Sequence, residues 1–248
     1  MANYNSFLFE GHGYSGKTGG YDPGATNGAV KENDLVDAIN KAAKKYLDTT
    51  KLSIHYDENN YTDKDLAGNT YTAKAGTVTH INSAAGASGV EIIVPINEKY
   101  LKYDLDLAEE ISKLLGIPNR GVKSRDYNSE AFVPRINGIA YGGSDYYGEI
   151  RDAWSRGISL SIIEVGFIQA DLAKIQANID GIGWLIAKYI ANICGVEINK
   201  PVTPATSTTD NTYYRVVVGS FKDRTNAVLQ QEKLKKSGYD SFIEAYKK

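Results

Sequence analysis

The sequence predicts an α/β protein, an open, twisted, largely parallel sheet flanked by helices, with a small C-terminal β-α-β unit appended. Three observations carry this expectation. Short apolar runs alternate with longer helix-periodic segments through residues 1–195. The helical segments keep one apolar face, and the later ones stop at glycine. The composition then breaks: residues 199–212 hold two prolines, five threonines and Val202 as the only large aliphatic, a stretch that cannot bury a core. The expected organisation is a body over 1–195, a linker over 196–212 and a tail over 213–248.

Taken in order, Ser6–Glu10 reads as a strand ending at Gly11. Glu32–Leu47 carries Leu35, Val36, Ile39, Ala42, Ala43, Tyr46 and Leu47 on one helix face. Residues 77–81 and 90–95 read as strands. Residues 100–115 repeat the helical spacing and stop at Gly116, with Pro118 beyond. Residues 159–164 form a buried-strand run, and a last long helix is expected over 171–194, stopped by Gly195. In the tail, 213–221 reads as a strand, a helix follows with Ala227, Val228 and Leu234 inward, and 239–246 supplies a second strand.

Composition narrows the function. The chain has 248 residues, 42% hydrophobic and 23% charged, enough for a sizeable core and unlike a disordered polymer. Its net charge of −2 excludes a basic nucleic-acid-binding surface over the whole molecule. The charge divides unevenly, +4 on residues 213–248 and −6 on the rest. No apolar run approaches the ~20 residues of a membrane span. The opening residues carry no basic group before Lys17, so no secretory signal is expected. Cys194 is the single cysteine, which excludes an internal disulfide or a multi-cysteine zinc site. It lies late in a helix, where a thiol gains no activation, and reads as core.

Gly11-His12-Gly13-Tyr14-Ser15-Gly16-Lys17-Thr18 fits the phosphate-loop pattern after a strand. A phosphate loop needs a helix starting at its Lys-Thr pair, so that backbone N–H groups face the phosphate. Residues 19–28 instead hold four glycines and a proline, which cannot continue a helix. No nucleotide is expected.

The same segment reads better as a loop presenting His12. His12 follows the first strand, His80 and Glu164 fall at strand ends, and Glu32 opens the first long helix. In open α/β sheets such ends collect ligands. Two neutral imidazoles and a carboxylate make an ordinary zinc set with a position left for water, and a further carboxylate that is not a ligand can move the proton. His55 is the competing histidine, at another possible strand but without a matching context.

Glu10-Gly11-His12-Gly13, Asp22-Pro23-Gly24-Ala25 and Lys31-Glu32-Asn33-Asp34-Leu35 resemble the opening of the zinc N-acetylmuramoyl-L-alanine amidases of phage endolysins and bacterial autolysins. Thr79-His80-Ile81-Asn82-Ser83-Ala84 with Gly89-Val90-Glu91 resembles their second histidine strand. Asn119-Arg120-Gly121-Val122-Lys123 and Ile163-Glu164-Val165-Gly166-Phe167-Ile168 are similar to two later segments in the same order. The resemblance implies Zn2+ on His12, Glu32 and His80, Glu164 as general base and acid, and cleavage between N-acetylmuramic acid and L-alanine of bacterial peptidoglycan. Thr79 stands where the family often has serine, and the tyrosine-rich stretch 124–156 does not align.

Val216-Val217-Val218-Gly219-Ser220-Phe221-Lys222-Asp223-Arg224 resembles the start of the SPOR peptidoglycan-binding domains, of which residues 213–248 would be half. Such a half implies wall binding and either a homodimer or docking on the body. A phage endolysin is the expected setting and a bacterial autolysin the alternative; with no secretory signal expected, the chain would wait in the host or producer cytoplasm until release and then act on the cell wall. A zinc carboxypeptidase needs a cation for a peptide carboxylate, for which Arg120, Arg125, Arg135 and Arg151 are candidates. A catalytically silent wall-binding protein is disfavoured by the complete catalytic set.

Overall fold

The computed structural model describes residues 2–14, 19–61, 71–135, 143–200 and 217–245. It divides into two compact units, Met1–Lys200 and Pro201–Lys248. In the first, the early strands are β1 (Ala2–Asn3), β2 (Ser6–Glu10), β3 (Gly13–Tyr14), β4 (Tyr21–Asp22), β5 (Thr26–Asn27) and β6 (Val30–Lys31). The later ones are β7 (Ile54–Tyr61), β8 (Tyr71–Thr72), β9 (Ala75–Asn82), β10 (Val90–Ile93), β11 (Asn119–Arg125), β12 (Phe132–Pro134) and β13 (Ser159–Phe167). The helices are α1 (Glu32–Leu47), α2 (Leu101–Leu115), α3 (Gly148–Ser155), α4 (Leu172–Ala177) and α5 (Ile179–Ile193). The second unit contains α6 (Arg224–Lys236).

Among the described residues, nine strands form one sheet in the order β12-β11-β10-β13-β9-β2-β7-β3-β4. β7, β2, β9 and β13 run parallel, as do β10 and β11, while β13 meets β10 antiparallel. The sheet is therefore mixed but largely parallel, and its central strands are buried on both faces, as expected when helices cover both.

α1 forms because its apolar face is continuous and its charges suit the helix dipole, Glu32 and Asp34 first, Lys44 and Lys45 last. It packs on α5 at Gly183, where a Cβ would lie 2.6 Å from that of Ala42 and 2.9 Å from the Ile39 carbonyl oxygen; only glycine lets the backbones meet. α2 ends as expected at Gly116, which takes the left-handed conformation at φ 58°.

Two expectations are corrected: His80 and Glu164 do not end their strands, since β9 runs on to Asn82 and β13 to Phe167, and the last long helix is divided. The single helix over 171–194 is two, broken at Asn178 with φ −128°. The Asn178 amide donates back to the Lys174 carbonyl at 2.8 Å, competing with the helical ladder while the apolar spacing runs through undisturbed. Asp171 stands at the N-cap of the first of the two, where the helix was expected to begin. Its buried carboxylate accepts from Ser88 Oγ at 2.6 Å, Gly89 N–H at 3.0 Å and Phe167 N–H at 2.9 Å, tying the end of β13 to the loop before β10.

In the tail, the helix is present and Asp223 caps it through the Thr225 N–H. Ala227, Val228 and Leu234 are half-buried. The expected β-α-β unit is not formed among the described residues: 217–221 and 239–245 carry no strand, and 213–216 lie outside them. A lone pair of parallel strands has too little sheet around it to stand. Val217, Phe221, Tyr239 and Phe242 are left exposed.

Candidate metal centre

Each predicted residue reaches the site by a different route. His12 lies two residues beyond β2, Glu32 is the first residue of α1, and His80 and Glu164 sit opposite one another on the paired strands β9 and β13. His12, Glu32 and His80 each offer a donor atom within 4.8 Å of the others. Glu32 Oε2 is 3.3 Å from His12 Nε2, and its Oε1 is 3.1 Å from His80 Nδ1. The same carboxylate accepts from the Ala25 and Ile81 N–H groups, both at 2.8 Å, which fixes its plane. The imidazoles meet edge to face at 5.0 Å.

Two glycines make room. A Cβ on Gly11 would lie 2.1 Å from His80 Cε1. On Gly24, held at φ 67°, it would lie 2.6 Å from both Glu32 Oε2 and the His12 ring. The polar network beneath explains Thr79: its hydroxyl donates to Asn40 Oδ1 at 2.7 Å, while the Asn40 amide donates to the Phe9 carbonyl at 2.8 Å. A hydroxyl is what the position needs, and threonine supplies it as serine would.

The electrostatics point to a cation. Burial opposes ionisation of Glu32, but hydrogen bonds from His12 and His80 hold its carboxyl well below the usual range. Burial likewise opposes charge on His80, yet Glu32 and then Glu164 raise it to about 9, and His12 is raised for the same reason by Glu32. One buried carboxylate thus draws positive charge onto two imidazoles, the demand a divalent ion meets without protons. Glu164 behaves differently. Burial first, then the charges of Glu32 and Glu91, push it up to about 7, against the pull of His80 and His12. Its Oε2 is buried with no hydrogen-bond partner among the described residues, and it stands across the β9–β13 pairing from His80.

His55 is elsewhere. It lies in β7, its ring 4.8 Å from Tyr4, 5.7 Å from Phe7 and 5.5 Å from Phe9, an aromatic packing position. The phosphate-loop pattern leads to no helix: the described residues from Gly19 to Lys31 hold only short strands before α1.

Several participants were not singled out from sequence, and Arg120 stood only among four candidate cations. Asp22 Oδ2 lies 3.0 Å from His12 Nδ1, orienting the ring so that Nε2 faces Glu32. Its spacing of ten residues after His12, within Asp22-Pro23-Gly24, was the available signal. Glu91 sits opposite Glu164 across β10 and β13. Arg120 Nε donates to Glu91 Oε2 at 2.6 Å and Lys123 Nζ donates to the same oxygen at 2.9 Å.

The profile of the family described as N-acetylmuramoyl-L-alanine amidase matches residues 7–192, and that of the SPOR domain matches residues 188–243. No curated protein sequence gives a significant match. Among solved structures, the chain resembles the putative N-acetylmuramoyl-L-alanine amidase from Neisseria meningitidis at 24% identity, over 79% of this chain and 98% of that one, with a TM-score of 0.53. It also resembles the CwlD amidase from Clostridioides difficile, solved with the GerS lipoprotein, at 17% identity over 78% and 100% of the two chains, TM-score 0.55. Cwp6 from Clostridium difficile matches at 18% identity and a TM-score of 0.54 over 77% of this chain, which spans only 29% of Cwp6. At these identities the likenesses establish the fold.

Proposed function

Because the chain belongs to the N-acetylmuramoyl-L-alanine amidase family, we propose that it hydrolyses the amide between N-acetylmuramic acid and L-alanine in peptidoglycan, with zinc on His12, Glu32 and His80 and with Glu164 moving the proton. The observation that carries the assignment is the meeting of two imidazoles and a buried carboxylate within 4.8 Å beside a carboxylate whose Oε2 is buried and unpartnered. This donor set is that of a catalytic zinc site, three protein ligands with room for a fourth. Bound zinc would supply Lewis acidity and lower the pKa of water.

The chain's own residues supply the rest. Asp22 holds the His12 tautomer that leaves Nε2 as donor. The two backbone N–H groups on Glu32 hold its carboxylate in place before any ligand arrives. Glu164, raised to about 7, can accept a proton from water and return it to the leaving amide nitrogen near neutral pH. The match of the SPOR profile supports a wall-binding role for the tail.

Digestion of purified cell walls, with and without a chelator, tests this reading through mass analysis of the fragments. An amidase releases intact stem peptides with new L-alanine amino termini, and the chelator abolishes the release. Shortened stems would instead mark a carboxypeptidase and overturn the reading.

A further inference from the structure

We propose that Arg120 and Lys123 form a subsite for a free carboxylate on the peptide side of the scissile amide, which makes the enzyme selective for stems whose second residue is acidic rather than amidated. This rests on the amidase reading above.

The argument begins with a bulge. β10 and β11 pair Val90 with Asn119 and then Ile92 with Val122, so Arg120 and Gly121 together oppose Glu91. In an unbroken strand residues 120 and 123 would point to opposite faces, because side chains alternate with period two. The extra residue, Gly121 at φ 82°, restores the phase, and both cations reach Glu91 Oε2. The other oxygen of Glu91 accepts from Asn82 Nδ2 at 3.3 Å.

Glu91 cannot neutralise both cations. Held ionised by them, it balances one charge and leaves the cluster at +1. Register places this charge beside the reaction: Glu91, Glu164 and His80 are cross-strand neighbours on β10, β13 and β9, about 5 Å apart per step. The Arg120 side chain is 37% exposed and its guanidinium lies 5.0 Å from the centre of the Phe167 ring, which steadies it without consuming its donors. A cavity of about 320 Å³ lies along the same strand, lined in part by Asn119, Arg120, Gly121, Lys123 and Pro134.

The other arginines fit less well. Arg135 is 2% exposed and donates to the Ile96 carbonyl. Arg151 donates to the Asp145 and Tyr146 carbonyls. Arg125 stacks 3.7 Å from the centre of Tyr146 and donates to the Glu130 carbonyl, farther along β11 from the end that lies beside Glu91. An acidic stem peptide has the complementary charge, whereas the glycan beside the scissile bond has none.

The test uses the full chain with zinc and two synthetic muramoyl peptides that differ in one group, a free isoglutamyl carboxylate or its carboxamide. The wild type should cleave the carboxylate form with a kcat/KM about 10-fold higher or more, carried by KM, as expected for a charge-assisted bidentate contact. In Arg120→Gln the ratio of the two kcat/KM values should fall to near one, and Arg120→Lys should keep part of it. Equal cleavage of both peptides by the wild type, or a parallel loss on both in Arg120→Gln with the ratio unchanged, overturns the proposal. Should Arg120→Gln fail to fold, the wild-type ratio and Lys123→Gln decide by the same criterion. Cleavage of neither peptide by the zinc-loaded wild type would instead remove the amidase reading, and the subsite with it.

Discussion

At the scale of single residues, the site depends on atoms that cannot be exchanged. Replacing His12 or His80 by alanine should remove zinc and wall lysis together, whereas His55→Ala should leave both, as metal analysis beside turbidity clearing will show. Glu164→Gln keeps shape and removes the proton acceptor, so it should retain zinc and lose about 10²–10⁴-fold in rate. Gly11→Ala is the less obvious lesion: its methyl would overlap the His80 ring at 2.1 Å, so zinc stoichiometry should drop although no ligand has changed. His12, between two glycines, and Glu32, the first residue of a periodic helix, were legible from their places at element ends, whereas His80 and Glu164 were legible from the short motifs around them. Asp22, Glu91 and Lys123 were not, and Arg120 stood only as one of four candidate cations. The partners of Glu91, Arg120 and Lys123 come from cross-strand register, which leaves no local trace in the chain.

At the scale of elements, periodicity carried the helices and concealed their interruptions. α1 and α2 follow their apolar faces nearly to the residue, but Asn178 breaks the last helix by a side-chain hydrogen bond that the apolar spacing does not register. The bulge in β11 is the same kind of event in a strand, and it can be tested. Deleting Gly121 should re-phase the strand and turn Lys123 away from Glu91, an outcome a structure of the variant would show directly. Gly121→Ala should cost about 1–2 kcal/mol through its left-handed backbone alone, because nothing lies within 4 Å of the added Cβ. The tail taught the converse. Val216-Val217-Val218 has strand composition, but composition without neighbouring strands did not produce a sheet among the described residues.

At the scale of the whole molecule, stability should depend on pH through a buried acid far from the chemistry in sequence. Asp104 is fully buried, accepts from Tyr189 at 2.7 Å and Ser161 at 3.0 Å, and has no partner for Oδ2. Burial, with Glu98 nearby, raises its carboxyl well above the usual range. The folded state therefore keeps a proton that the unfolded chain has released, so stability falls as pH climbs from the ordinary carboxylate range towards the raised value. Asp104→Asn should flatten that slope in thermal melts across pH. Removing residues 201–248 should leave zinc binding and cleavage of soluble muramoyl peptides intact while weakening wall binding, which a pelleting assay at two salt concentrations will show. The order of the strands also has a consequence in time. β9 and β10 follow one another in the chain, yet β13 lies between them in the sheet. A ribosome delivers His12, Glu32 and His80 long before Ser159, and until β13 emerges both waiting strands keep open edges. The closing pairings are long-range, the slow kind, and Glu164 arrives only with them. Under the proposed mechanism, a growing chain that has already placed the three candidate ligands still lacks its base, because the strand that completes the sheet also carries Glu164.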